Sequence, residues 1–123
     1  MRLPLLVTFS LIPLAACASN ERRLDAAWER FQSDQAAALA RAERVRDAGV
    51  ERARENGDED RLVALTTPPS SPVARVLTTA TAGAIAYFAG DLEALARAQH
   101  VLDLYVEDMA RLERAFEPPD RTR

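Results

Sequence analysis

The side chains best suited to acid–base or metal chemistry lie on one predicted helix near the C-terminus. His100 is the only histidine of the chain, and Asp103 and Glu107 follow it along one side of that helix. A catalytic metal usually needs three suitable protein ligands, and no second histidine or free cysteine completes this set. We therefore interpret His100 as a surface histidine with helical salt-bridge neighbours and predict no metal site.

Nucleophilic catalysis is not favoured by the sequence either. Ser33, Ser70 and Ser71 are the serines of the predicted folded part, and none lies in the glycine-framed turn that exposes a catalytic serine. The chain has no glycine-rich phosphate loop and no lysine that could form a Schiff base. The acidic run over 58–60 lacks the ligand spacing of a calcium loop and is explained by helix capping. We predict a non-enzymatic protein without a bound cofactor.

The remaining reactive side chain is Cys17, the only cysteine, which therefore cannot form an internal disulfide. It closes an N-terminal segment with a positive charge at Arg2, an apolar stretch over 3–14 and small residues at Ala15 and Ala16. A charged start, an apolar middle and a small-residue exit are typical of a secretory signal. The apolar stretch is too short for a transmembrane helix, which needs about 20 residues.

The sequence Leu14-Ala15-Ala16-Cys17 resembles the lipobox of bacterial lipoproteins. The resemblance implies a signal peptide over 1–16, cleavage before Cys17, a diacylglycerol on the Cys17 sulfur and acylation of the new amine. Ala18 follows in place of the aspartate that favours inner-membrane retention. The resemblance therefore implies the periplasmic face of the outer membrane, with inner-membrane retention as the alternative. A chance cysteine in a secretory or cytoplasmic protein is the other interpretation of the motif.

The mature segment, 17–123, is long enough for a single periplasmic domain and too short for two. The formal charge of the whole chain is −3, and loss of Arg2 with the signal makes it −4. An acidic chain without a basic cluster lacks the charge pattern of nucleic-acid binding and of attraction to anionic lipid. We predict no nucleic-acid partner, and we expect the acyl chains on Cys17 to supply the membrane contact.

The first half of the mature segment predicts one long helix over about 20–55. Ser19 or Asn20 is its expected N-cap, and Asn56-Gly57 is its expected end. Residues with alternating spacings of four and three form a coiled-coil-like seam along this helix. The seam comprises Leu24, Trp28, Phe31, Gln35, Ala38, Ala42, Val45 and Gly49.

The second half predicts two further helices. After a short helical turn and a proline-rich loop over 66–72, they cover about 72–89 and 91–116, with Ser71 and Asp91 as their expected N-caps. The tight Gly90-Asp91 turn makes them antiparallel. The expected fold is all-α, a three-helix bundle from which part of the long first helix projects. The apolar stripe of the last helix comprises Leu95, Ala98, Leu102, Tyr105, Met109, Leu112 and Phe116, widened by Val101 and Val106.

The predicted middle helix, over 73–89, is apolar or small on every face and carries Arg75 as its only charge. A helix of this kind is either buried or in lipid, and we predict that it is core, with membrane contact as the alternative. Trp28 and Phe31 present a similar choice between core and membrane interface. Core is preferred for both, because they continue the seam begun by Leu24.

These patterns favour a lipid-anchored interaction or accessory protein of the cell envelope that uses a helical face to hold a protein partner or a second copy of itself. The main reason for this hypothesis is the part of the α1 seam that is formed by alanines, whose side chains fill little space. The alternative is a carrier of a small ligand or lipid in a cavity between the last two helices, since small residues line the middle one. A further alternative is an exclusion or lysis lipoprotein of a mobile element, which fits the size and the anchor.

Overall fold

A computed structural model describes the backbone over 3–116 and the side-chain surroundings over 19–116. Four helices form this part of the chain, α1 (Leu3–Asn56), α2 (Glu59–Thr66), α3 (Pro72–Phe88) and α4 (Leu92–Phe116), and no strand occurs in it. The predicted all-α fold is confirmed. The last two helices begin and end within one residue of their predicted bounds, and the proline-rich loop is shorter than predicted because α2 continues to Thr66.

The first helix begins at Leu3 instead of near residue 20, which corrects the predicted boundary. Ser19 and Asn20 lie inside α1 and are not N-caps. Helix-forming residues, many of them alanine, continue on both sides of Cys17, so the sequence contains nothing there that stops a helix. Side chains 19–23 are all exposed, and α1 projects beyond the core at this end.

Helices α1, α3 and α4 each pack against the other two, and α2 packs against α1. Ion pairs join Arg30 to Asp103 and Arg41 to Glu113, so α1 and α4 run parallel to each other. The tight turn at Gly90 reverses the chain between α3 and α4, and α3 is therefore antiparallel to both. The predicted three-helix bundle with an antiparallel C-terminal pair is confirmed.

Two glycine turns separate the helices where the sequence predicts. Gly57 and Gly90 have φ angles of 64° and 68°, in the left-handed region that glycine adopts without strain. In each turn the amide that follows the glycine donates to a carbonyl five residues earlier, at 2.8 and 2.9 Å. This hydrogen bond is the mark of a Schellman motif, which satisfies the last carbonyls of α1 and α3.

The three shorter helices begin with the capping residues that the sequence predicts. Side-chain oxygens of Asp58, Ser71 and Asp91 each accept a hydrogen bond from the backbone amide three residues later, at 3.0, 3.1 and 3.0 Å. Pro72 occupies the first position of α3, where a missing N–H leaves no hydrogen bond unmade. Each cap contributes about 0.5–2 kcal/mol of stability.

One apolar core lies between α1, α3 and α4. Every member of the predicted α1 seam is buried or half-buried, whereas Val101 and Leu112 of the predicted α4 stripe remain 37% exposed at its edges. The alanine part of the seam packs inside the bundle and is not available to a partner. The largest fully buried side chains are Phe31, Leu95, Leu102, Val45 and Val76.

The prediction that α3 is core is wrong for half of its surface. Val76 is fully buried on the inner side of α3, whereas Leu77 is 48% exposed, Ile85 66% and Phe88 81% on the opposite side. A helix at one corner of a three-helix bundle contacts its neighbours over only part of its circumference. Within the described residues, none of the helices combines the length and apolar character that crossing a membrane requires.

Gly83 lies directly against the Phe31 ring, which a methyl group at position 83 would overlap. We expect Gly83→Ala to lower the free energy of unfolding by about 1–3 kcal/mol, the usual range for overpacking. Alanine for glycine within a helix otherwise stabilises by about 0.5–1 kcal/mol, so the sign of the change is diagnostic. Urea unfolding followed by circular dichroism measures it.

Gly49→Ala is the matched control for this substitution. A methyl group at position 49 would come within 2.7 Å of Leu65 Cδ1, the far end of a flexible side chain, and within 3.0 Å of the Phe116 ring in the last turn of α4, whereas at position 83 it would overlap a fully buried ring. We expect a smaller loss of stability than at Gly83. An equal or larger loss at Gly49 would contradict the importance given to the Phe31–Gly83 contact.

Candidate functional site

The exposed side of α3 is the candidate functional site, and we refer to it as the outer face of α3. It presents three large apolar side chains, Leu77, Ile85 and Phe88, which are between 48% and 81% exposed. Arg75 is the only charged residue of α3, so no charge interrupts the face from Val76 onward. The outer face comprises Ala74, Leu77, Thr78, Thr81, Ala82, Ile85 and Phe88.

The outer face is less polar than its threonines suggest. The Thr81 hydroxyl donates a hydrogen bond to the Leu77 carbonyl at 3.0 Å, so its oxygen is already partnered within the helix and its methyl group adds to the apolar surface. Ala74, Thr78, Thr81, Ile85 and Phe88 follow one another at spacings of four, three, four and three. This spacing is the one by which a helix packs along another helix.

An aromatic cluster lies at the C-terminal end of α3, where the outer face ends next to Trp28 of α1. The Trp28 ring stacks on Tyr87 with 4.6 Å between centroids, and the Phe88 ring meets Tyr87 edge-on at 5.4 Å. Phe31 is fully buried, as predicted, whereas Trp28 is only half-buried at the edge of the core. Contacts among these rings hold Trp28 and Tyr87 in place, and Phe88 extends outward from the cluster.

The Tyr87 hydroxyl donates a hydrogen bond to Asp25 Oδ1 at 2.9 Å. This hydrogen bond, together with weaker contributions from burial and from the negative charge of Asp25, raises the pKa of Tyr87 above its ordinary value of 10.0. The hydrogen bond connects the end of α3 to α1 and directs the polar tip of Tyr87 away from the outer face.

A polar cluster that sequence reasoning missed lies between α1 and α4. The Gln99 amide nitrogen donates to Asp34 Oδ2 at 2.8 Å and to Asp103 Oδ1 at 3.0 Å, and Arg30 reaches both carboxylates at 3.6 and 3.9 Å. Gln99 is buried, and its carbonyl oxygen has no hydrogen-bond partner among the described residues. The spacing of four between Gln99 and Asp103 is the sequence signal that could have indicated half of this cluster.

His100, Asp103 and Glu107 have separate surroundings in the structure. His100 is exposed, Asp103 faces α1 through Gln99 and Arg30, and Glu107 forms an ion pair with Arg111. Among the described residues no three histidine, cysteine, aspartate or glutamate side chains are placed to hold a metal ion. The backbone of Cys17, the predicted lipidation site, lies within α1, and its side chain lies outside the described residues.

The carrier hypothesis places its ligand between α3 and α4. Small residues on the inner side of α3 admit the Phe31 ring, which packs against Gly83. The cavity between α3 and α4 beside Tyr105 and Met109 has a volume of about 20 Å³, whereas pockets for drug-sized ligands have about 300–1,000 Å³. Larger grooves of about 390 and 260 Å³ run between α1 and α4 beside the polar cluster.

Comparison with models of known protein families, with curated proteins and with solved structures gives no match for this chain. A function for this chain is therefore inferred from the residues and contacts described above.

The raised pKa of Tyr87 gives a test of the contact between α1 and α3. The chain has no lysine, so an absorbance titration of its phenols is not accompanied by lysine ionisation. Subtracting the curve of Tyr87→Phe from that of the wild type isolates Tyr87, and we expect a midpoint above 10.0. The hydrogen bond favours the neutral phenol, so its stabilising contribution is complete below pH 10.0 and is lost as pH rises through the pKa of the folded state.

Asp25→Ala is the control for this titration. It removes both the hydrogen-bond acceptor and the negative charge at an exposed position, so we expect the Tyr87 midpoint to move toward 10.0 without unfolding the bundle. A wild-type midpoint at or below 10.0 would show that the Asp25–Tyr87 contact is not made in solution.

Proposed function

We propose that this protein is a lipid-anchored, non-enzymatic interaction module of the cell envelope. Acyl chains on Cys17 hold it at the periplasmic face of the outer membrane, and the outer face of α3 holds a protein partner. The observation that carries the proposal is the exposure of Leu77, Ile85 and Phe88 on a charge-free helix face with the spacing of a packing seam.

The exposed side chains of the outer face favour association on energetic grounds. Fully burying a leucine, isoleucine or phenylalanine side chain contributes about 1.5–3 kcal/mol relative to leaving it exposed. Contiguous apolar surface that reaches from one end of a helix to the other is uncommon on a monomer and usually marks an interaction site. Exposed apolar residues outside this face, such as Val63 on α2 and Leu104 on α4, have charged residues within one helical turn of them.

The position of Cys17 supports a short tether between the membrane and the bundle. Leu24 is the first α1 residue in contact with the core, and the seven-residue separation from Cys17 corresponds to a rise of about 10 Å along a helix. Two or three acyl chains give stable anchoring, because each buried methylene contributes about 0.8 kcal/mol. The bundle is therefore held close to the lipid surface.

The alternatives have less support from the described residues. The carrier hypothesis is not favoured by the cavity of about 20 Å³ beside Tyr105 and Met109, which is too small for a drug-sized ligand. The exclusion or lysis hypothesis is compatible with the anchor, but no contact or exposed group favours it over a general interaction role.

Replacing the acylated residue tests the anchor. We expect Cys17→Ser to abolish metabolic labelling with palmitate and to move the protein out of the outer-membrane fraction, because serine has no thiol to receive the diacylglycerol. Ser19→Ala, which leaves the lipobox intact, is the control and should retain label and location. Labelled, membrane-bound Cys17→Ser protein would show that the anchor is not at Cys17.

Photo-cross-linking in cells tests the contact surface. A photoreactive phenylalanine analogue at position 85 should capture a discrete protein partner, because Ile85 is 66% exposed at the centre of the large apolar residues. The same analogue at position 63 is the matched control, since Val63 is 57% exposed on α2 and outside the outer face. Equal capture at the two positions would contradict the assignment of the interaction surface.

A further inference from the structure

The seam of the outer face of α3 is graded in size from one end to the other. It begins with Ala74 and Thr78, passes through Thr81 near the middle, and ends with Ile85 and Phe88, while Leu77 lies beside it. A partner that fills the seam evenly must present a large side chain to Ala74 and a small one to Phe88.

A second copy of the chain meets this requirement when it is turned end over end. We infer that the partner of the outer face is the same face of another copy, with the two α3 helices antiparallel about a two-fold axis near Thr81. This inference rests on the proposed interaction role of the face and names its occupant. Ala74 of each copy then lies level with Phe88 of the other, so the smallest side chain of the seam meets the largest, and Leu77 of each copy lies level with Ile85 of the other as a further apolar contact. A parallel pair would instead stack Phe88 on Phe88 and Ala74 on Ala74.

The charge distribution permits this pairing. Two identical surfaces bring like charges together wherever they are charged, and the outer face has none. Arg75, the only charge of α3, lies on the side toward α4, where its guanidinium is 5.9 Å from the centre of the Tyr105 ring. The carboxylates of Asp25 and Asp91 flank Phe88 at the other end of the face, so antiparallel pairing brings them toward the Arg75 end of the second copy, where the charge is opposite.

The same two-fold axis suits two lipid anchors. Because α1, α3 and α4 form a triangle, antiparallel pairing of the α3 helices places both α1 helices on one side of the dimer and both α4 helices on the other. The axis is perpendicular to α3, and each Cys17 backbone lies on its own α1. Both acylated ends therefore face the same side and can enter one leaflet, with the axis along the membrane normal.

Lipid is a less suitable occupant of this face. The end with the largest apolar side chains is flanked by the carboxylates of Asp25 and Asp91, which would approach lipid phosphates if Phe88 were inserted. A facing helix requires apolar residues at alternating spacings of four and three, whereas lipid chains require no particular spacing.

Cysteine cross-linking of the full-length acylated protein in its own membrane tests the inference. Under the proposed acylation Cys17 has no free thiol, so introduced cysteines are the only reactive ones. Ala74→Cys and Ala89→Cys are expressed together on copies with different tags and treated with a short bis-maleimide. We expect adducts that carry both tags to predominate, because Ala74 lies level with the Phe88–Ala89 end of the other copy, whereas two Ala74 positions are about 21 Å apart along the helices.

Two controls separate this contact from random collision and from unfolding. Val63→Cys on both copies should give no adduct, because Val63 is exposed on α2 and outside the outer face. Ile85→Ser in the cysteine background should reduce the mixed-tag adduct at least about tenfold, while the thermal unfolding of the variant remains that of the parent. Ile85 is 66% exposed within one copy, so its replacement removes contact area only between copies.

The other outcomes overturn the inference in distinguishable ways. Predominant adducts between two Ala74→Cys copies would show a parallel pair. Absence of adducts together with photo-capture of a different protein at position 85 would leave the proposed function standing with another partner. Absence of both, with quenching of Trp28 fluorescence by brominated phosphatidylethanolamine in vesicles, would show that the face lies on lipid and would remove the interaction role as well.

Discussion

The contact between the Phe31 ring and the backbone at Gly83 is the constraint on which the bundle depends. A fully buried phenylalanine needs a space of its own size, and α3 provides it by having no side chain at the point of contact. The contact determines which side of α3 faces α1. Once that side faces inward, the opposite side, with Ile85 and Phe88, has no neighbour within the chain.

The outer face is exposed because of this orientation of α3, and it is apolar because α3 has almost no charged residues. Helices α1 and α4 have charged residues on the sides away from the core, among them Arg30, Asp103 and Glu113, and these residues form ion pairs between the two helices. Such exposed pairs contribute little stability, but they keep those surfaces solvated. Helix α3 has Arg75 as its only charge. The same triangular packing therefore exposes charged side chains on α1 and α4 and an apolar surface on α3.

The sequence predicted the features that have a local physical cause. Caps at Ser71 and Asp91 and the glycine turns follow from the chemistry of single residues, and the α1 seam follows from a clear spacing of large and small side chains. The orientation of α3 could not be predicted in this way, because a helix that is apolar on every side has no periodicity to indicate its inner face. Burial of Gln99 was missed because its partner Asp34 is far away in sequence.

Anchoring and association support each other in the proposed arrangement. Three large side chains on one helix make a small interface, and stable complexes in solution usually bury about 1,200–2,000 Å². Confinement to a membrane surface raises the effective concentration of two anchored copies, so a contact too small to hold in solution can hold there. The short distance between Cys17 and the first packed residue, Leu24, strengthens this effect, because it limits the volume that each outer face can explore. In the proposed arrangement a modest apolar face suffices, because the anchor supplies proximity.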